Sequence, residues 1–535
     1  MQLKFGLVPP LLAALPFAYI GAAAQTAPVQ LSVNAAAGIH PIDPNIYGIA
    51  NYGLDPQFAK EIALPNTRWG GDGTTRYNWQ VDSSNSGGDW YFVGGSGVAT
   101  PVPGGQVDTM IDTYRPAGTA PLITVPIIPY VNKTAAYTCS YRVSVYGPQT
   151  SVDPYLTVGN GDQCGSGVSP TGTNITDTNI YYNHVDNSPG LQEGWMDHLL
   201  NRYGRQSGIV RLFQLDNEPG GWGNTHRDVM PNGANYPTIV DLGQQYASMI
   251  KKVDPQALIL GPSDFTLGGW IGDTTQQNGL YAGQYYLQQM AAYQHANGIR
   301  LLDYFDEHYY GGGSTPAAEL QSTRALWDPT FNSGSWVEQY VFDAPMQLIP
   351  RFQSWIAQYY PGTKLALSEY SFTNGGTTIA DALTQADVLG IFGRQGVDLA
   401  NLWTIPQPTD PVAYSYRLYR NYDGQGSRYG DTWVSSNSTD QGQLAIYGAM
   451  RTSDHALTLV IINKTANDLP TAVALANVPQ PAASAEMYTY SSANLQAIVR
   501  QPDIPIQIAH NQATGFSATF PAMSASIVVI PRVKH

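Results

Sequence analysis

An α/β fold is predicted for this chain: a (β/α)8 TIM barrel with an appended antiparallel β-sandwich domain. Three observations predict it. Eight short apolar runs alternate with helical periodicity between residues 40 and 430. Two of those runs deliver a glutamate at their C-terminal end, Glu218 and Glu369. Beyond residue 430 helical patterning gives way to short alternating runs punctuated by turn residues, as in a sandwich.

The elements follow in chain order. Residues 1–24 read as a signal peptide: Lys4 supplies the positive start, a mostly apolar stretch follows, and Ala22, Ala23 and Ala24 precede Gln25 as a small-residue cleavage site. Residues 25–39 hold an alternating strand, 29–34, with no place in the barrel scheme; it is assigned to the sandwich. Residues 40–430 form the catalytic barrel. Its strands are expected at 46–51, 66–70, 121–128, 211–218, 257–262, 304–310, 364–371 and 399–403. Helices are expected at 190–203, 236–253, 281–297, 344–360 and 378–395. A doubly wound open sheet is the competing fold, but no Gly-x-Gly-x-x-Gly turn follows the first strand. Residues 431–535 form the sandwich, with strands at 443–450, 457–463, 472–475, 485–490 and 524–529. The glycine-rich patch 159–173, around Cys164, reads as a surface loop.

Composition narrows the function classes. The chain has 535 residues, enough for a large core and two domains. Charged residues are 12 % of it, against about 25 % in an average soluble protein. The net charge of −14 and the lack of Lys/Arg clusters argue against nucleic acid or an anionic membrane as partner. No stretch after the signal is long and apolar enough to span a bilayer, so a secreted, extracellular or periplasmic monomer is expected. Two cysteines, Cys139 and Cys164, fit one disulfide in an oxidising compartment.

In a barrel of this kind the strand ends all deliver side chains to one face, which holds the chemistry. The fourth strand brings Asn217 and Glu218, with Pro219 stopping the strand; the seventh brings Glu369. Two such carboxyls suit glycoside hydrolysis, one protonating the leaving oxygen while the other, ionised, attacks the anomeric carbon. Arg68 on the second strand is a candidate ion-pair partner for the nucleophile. The sixth strand offers His308, Tyr309 and Tyr310; alternation puts His308 and Tyr310 on one side, and which side faces the lumen stays open. Trp403 ends the eighth strand as a sugar platform or a core residue. Trp69, Tyr77, Trp79, Trp90, Trp222 and Trp270 sit in or beside loops, where as a set they are expected to line a polysaccharide cleft.

The stretches Thr67-Arg-Trp-Gly-Gly-Asp-Gly-Thr-Thr-Arg-Tyr-Asn-Trp79, Asp89-Trp-Tyr-Phe92, Leu215-Asp-Asn-Glu-Pro219, Ser368-Glu-Tyr370 and Tyr419-Arg-Asn-Tyr-Asp-Gly424 resemble glycoside hydrolase family 44, in order through the whole barrel. The resemblance implies a barrel with an appended sandwich and retaining, endo-acting hydrolysis of β-1,4-glucans, xyloglucan and soluble cellulose derivatives among them. It makes Glu218 the acid/base and Glu369 the nucleophile. Asp72 departs from the pattern, which has an amide after Gly-Gly, and the loop holding Cys139 and Cys164 looks like an insertion. Substrate-binding candidates are Asn217, Arg68, Trp69, Asp72, Tyr77, Trp222, His308, Tyr310 and Trp403. Catalysis requires no cofactor on this reading. The resemblance also implies a structural calcium in some members, with no ligands assignable here. The rival readings are another retaining barrel glycosidase, an arabinofuranosidase or xylosidase, and a non-catalytic carbohydrate-binding protein, which would have no need of both glutamates.

Overall fold

The computed structural model describes residues 28–159, 161–265 and 270–533. The proposed signal peptide lies outside them.

Eight parallel strands close into a barrel. They are β1 (Gly48–Ala50), β2 (Asn66–Trp69), β3 (Ala120–Val125), β4 (Leu212–Leu215), β5 (Leu258–Phe265), β6 (Tyr304–Tyr310), β7 (Lys364–Ser371) and β8 (Leu399–Leu402), in that order around the ring. Each corresponds to one of the eight apolar runs. The runs are largely apolar because each strand is covered on both faces, by lumen side chains within and helices without; the polar exceptions, such as Arg68, Gln214 and His308, are buried too. Helices Pro189–Tyr203, Tyr236–Val253, Ala282–Asn297, Leu348–Tyr359 and Ile379–Gln395 supply much of that cover. Several start on a side chain that accepts a first-turn N–H, such as Ser188, Asn235 and Thr378.

The second body is a β-sandwich, antiparallel but for one parallel pair. Its strands include Leu444–Met450, Leu457–Asn463, Leu469–Pro479, Ser484–Ser491 and Ser524–Ile530. Leu31–Asn34 lies between Thr432–Ser438, antiparallel, and Leu469–Pro479, parallel. Alternation divides the strand Leu444–Met450 between two cores. Leu444 and Ile446 point into the sandwich, whereas Ala445, Tyr447 and Ala449 join the barrel core. The helix Ile379–Gln395 is therefore buried nearly all round, with barrel on one side and sandwich on the other. Gly390 is needed there, since a Cβ would collide with the Tyr447 ring.

The patch 159–173 is not simply a loop. It contains the strand Asp162–Gly165, which pairs with Val152–Val158 as a hairpin. The Cys139–Cys164 disulfide forms, with a Cα separation of 5.8 Å, and fastens this hairpin to Thr138–Cys139.

Candidate active site

At the C-terminal mouth of β4 the backbone turns sharply. Asp216 and Glu218 both have left-handed dihedrals, φ 65° and 47°, which costs a non-glycine residue on the order of 1–3 kcal/mol. Local hydrogen bonds hold the turn. The Asp216 carboxylate accepts from the amides of Ile127 at 2.6 Å, Ile128 at 3.0 Å and Asn217 at 2.8 Å, and the Glu218 amide donates to the Ser263 carbonyl at 2.9 Å. The strain aims Glu218 across the mouth toward Glu369 on β7. One carboxylate oxygen of each, with a His308 ring nitrogen, lie within 4.8 Å of one another.

Glu369 is almost fully enclosed by donors. Arg68 Nη1 reaches Oε2 at 2.5 Å and the Tyr310 hydroxyl reaches Oε1 at 2.6 Å. Burial works against the charge, but His308, Arg68 and Tyr310 outweigh it and hold this carboxyl below the ordinary glutamate range. Arg68 is itself wholly buried and spends its other nitrogens on Gln214 Oε1 at 2.7 Å and Asn217 Oδ1 at 2.6 Å. The Gly70–Gly71 pair of the sequence motif makes room for it. A Cβ on Gly70 would strike the guanidinium, and Gly71, at φ 105°, would place one 2.8 Å from the Trp403 ring.

A polar chain fixes His308. The Ser368 hydroxyl donates to Asp306 Oδ2 at 2.7 Å, so its only proton is committed and its lone pairs face His308 Nε2, 3.2 Å away. His308 therefore carries hydrogen on Nε2 and turns Nδ1 to Glu218 Oε1 at 2.9 Å. Burial opposes a charge on the ring, yet Glu369 and the hydrogen bond to Glu218 raise it above the ordinary imidazole range. One proton lies across the Nδ1–Oε1 contact. On the carboxyl it makes Glu218 an acid; on the ring it leaves Glu218 a base beside an imidazolium.

Asp72 completes the floor, accepting from Asn217 Nδ2 at 2.8 Å. Burial first, then Asp89, Glu218 and Glu369, push its carboxyl well above the ordinary range, against the opposing Asn217 bond. Trp403 stands over the Arg68 guanidinium at 5.9 Å and meets Tyr52 edge-on at 6.0 Å.

These observations are joined by sequence and structural likeness. Residues 83–312 match the model of glycoside hydrolase family 44. The structure of CelM2, a bifunctional glucanase-xylanase from a metagenome library, superposes with a TM-score of 0.88 at 34 % identity, over 95 % of this chain and 99 % of that one. The chain belongs to glycoside hydrolase family 44. Its likeness extends to a family 44 xyloglucanase of Paenibacillus polymyxa, with TM-score 0.78, 27 % identity, and 94 % and 99 % of the two chains covered. Endoglucanase A of Paenibacillus lautus is 29 % identical over 489 residues, 83 % of this chain; the chain spans 66 % of that relative's length.

Of the sequence candidates, the structure gathers Glu218, Glu369, Asn217, Arg68, Asp72, His308, Tyr310 and Trp403 into this family 44 site. The loop aromatics need correction. Trp69 is 3 % exposed, and Tyr77 and Trp222 are fully buried. Trp69 and Tyr77 pack against each other and against Trp195, with centroids 4.8 to 5.9 Å apart. Trp270 is buried against Tyr309 and Phe352, and Trp79 donates its indole N–H to the Leu191 carbonyl. They roof the barrel rather than face a polysaccharide, because large aromatics in long loops gain more from mutual burial than from exposure. Of the six, Trp90 alone is exposed, at 42 %.

The sequence reading missed Gln214, Ser368, Asp306 and Asp89. Gln214 had a signal, an amide inside an otherwise apolar strand and in step with Asp216 and Glu218. Ser368 stood beside Glu369 in the motif Ser368-Glu-Tyr370, and Asp306 had no signal beyond polarity within a buried run. As for calcium, among the described residues one group, Glu218, His308 and Glu369, brings three ligand-type side chains together. It does not fit that ion, which takes six to eight oxygens, since it offers an imidazole and is already paired with Arg68.

Proposed function

We propose that this chain hydrolyses β-1,4-glucan backbones at internal bonds, xyloglucan and soluble cellulose derivatives among them, by double displacement with retention. The carrying observation is the approach of Glu218 and Glu369 oxygens to within 4.8 Å. That suits retaining enzymes, whose carboxyls stand about 5–5.5 Å apart; inverting ones leave about 6.5–9.5 Å for a water. The names of the similar proteins, a glucanase-xylanase, a xyloglucanase and an endoglucanase, support the substrate class.

Glu369, held ionised by Arg68 and Tyr310, attacks the anomeric carbon. Glu218 gives its proton to the departing oxygen and becomes a carboxylate. In the second half Glu218 takes a proton from water, which displaces Glu369 and releases the sugar with its original configuration. Every group in this cycle comes from the chain, and we propose that no cofactor takes part. The Cys139–Cys164 disulfide supports export to an oxidising compartment.

A panel of xyloglucan, carboxymethylcellulose, xylan and an aryl arabinofuranoside, with products sized, tests this reading. Oligosaccharides released from the first two are expected. Release of single sugars alone would favour the arabinofuranosidase or xylosidase reading, and binding with no new reducing ends would favour a non-catalytic protein.

A further inference from the structure

Trp90 and Tyr155 form an exposed aromatic pair outside the site just described. Their rings are parallel to within 7°, with centroids 6.0 Å apart. Tyr155 is 85 % exposed, although it gains nothing for the core by being aromatic. One buried carboxylate, Asp153, sets both rings. Its Oδ2 accepts the Trp90 indole N–H at 2.9 Å, while Oδ1 accepts the amides of Tyr155 at 2.9 Å and Leu156 at 3.2 Å.

A covalent tie reinforces that arrangement. Val93, three residues after Trp90, pairs with Cys139. Cys139 is bonded to Cys164 on the strand that pairs with the one bearing Tyr155. The hairpin and Trp90 therefore form a single braced unit. Its place is set by Gly87–Asp89, the turn just before Trp90, which packs on Asn224 and Thr225 in the turn that follows Glu218. The Asp89 carboxyl in turn lies close to those of Asp72 and Glu218. The pair thus lies beyond Asp89 on the Glu218 side of the mouth, where a leaving group departs.

We propose that Trp90 and Tyr155 are a sugar-stacking subsite for the leaving-group portion of a glucan chain, with Asp153 as the residue that positions both rings. This rests on the glucanase reading above. A pyranose presents an apolar C–H face that matches an aromatic plane, and the outward face of this stacked pair offers such a plane to one sugar of the chain. Trp90 directly follows Asp89, whose carboxyl lies near Glu218 and Glu369, which is why a substrate chain, and not an unrelated protein, is the pair's occupant.

Trp90→Ala, Tyr155→Ala, Asp153→Ala and Asp153→Asn test it on the full chain. The readout is the ratio of kcat/KM for xyloglucan to that for 4-nitrophenyl β-cellobioside, whose leaving group stops at a single ring. The ratio is expected to fall about tenfold for each alanine variant, the scale of one aromatic contact. Asp153→Asn, whose single oxygen can serve the two backbone amides or the indole but not both, should recover only part of the loss. A ratio equal to wild type in Trp90→Ala and Tyr155→Ala would overturn the subsite. Native electrophoresis through gels containing xyloglucan separates this from failure of the glucanase reading. Wild-type retardation that the two aromatic variants lose would uphold the subsite even if no bond were cleaved. Equal retardation of all variants would overturn it.

Discussion

Two buried ion pairs in this molecule use the same chemistry to opposite ends. Lys464 and Asp387 meet at 2.7 Å between sandwich and barrel, each 1 % exposed. Asp387 also accepts from Thr323 at 2.5 Å and Tyr447 at 2.7 Å, so three donors surround its carboxylate. Arg68 and Glu369 meet at 2.5 Å at the barrel mouth, but Glu218 stands opposite and Asp72 lies close by. The first pair spends its desolvation cost on holding two bodies together. The second is arranged around the proposed nucleophile: His308, Arg68 and Tyr310 hold Glu369 ionised while a second carboxyl, Glu218, stands opposite it.

Breaking each pair should therefore damage different properties. The largest effect is expected for Glu369→Gln, which should lower kcat on the order of 10⁵-fold while leaving the chain folded, with a lower unfolding midpoint because the buried Arg68 loses its anion. Steady-state kinetics and thermal melts check both halves. Next, Lys464→Ala strands Asp387 without its cation and should cost about 3–5 kcal/mol of stability, seen as an early denaturant midpoint, with kcat at low temperature near wild type. Loss of kcat without loss of stability would show that the interface pair serves the site instead.

Tyr310→Phe removes one donor from the Glu369 carboxylate. A hydrogen bond to a charge is worth about 1.5–3 kcal/mol, so kcat should drop by roughly ten- to a hundredfold, and the acid limb of the rate profile should move to higher pH. The signs of the wild-type limbs follow from the same contacts. Glu369 lies below the ordinary 4.5, so the nucleophile is protonated, and activity lost, only as pH falls below that value. His308 lies above the ordinary 6.5, so the shared proton leaves, and activity falls, only as pH rises beyond it.

The smallest effect is expected for Asp72→Asn. Burial and neighbouring acids favour the neutral carboxyl at this position. A protonated acid accepts from Asn217 much as an amide would, which explains how aspartate can stand where the family pattern has an amide. Less than about a threefold change in kcat/KM near pH 6 is expected.

Much of this was legible in the sequence because burial on both faces writes itself as an apolar run, and all eight barrel strands carried one. The acids at the ends of β4 and β7 stood out against such runs. The lumen side of β6 was not legible, since Phe305, His308, Tyr309 and Tyr310 suit either face; neighbouring strands settle it by pairing His308 with Glu369 in register. The fate of Trp69, Tyr77 and Trp222 depended on partners such as Trp195, far along the chain. In the sandwich, Asn494–Pro505 and Gln512–Phe520 escaped notice because much of their length is exposed and too polar to signal a strand.

The central claim is that Glu369 bonds to the sugar while Glu218 serves first as acid and then as base. Proton NMR of the first products from a β-linked glucan tests it directly. The account requires the β-anomer to accumulate before mutarotation sets in; an initial α-anomer would mean a single inversion and would contradict it.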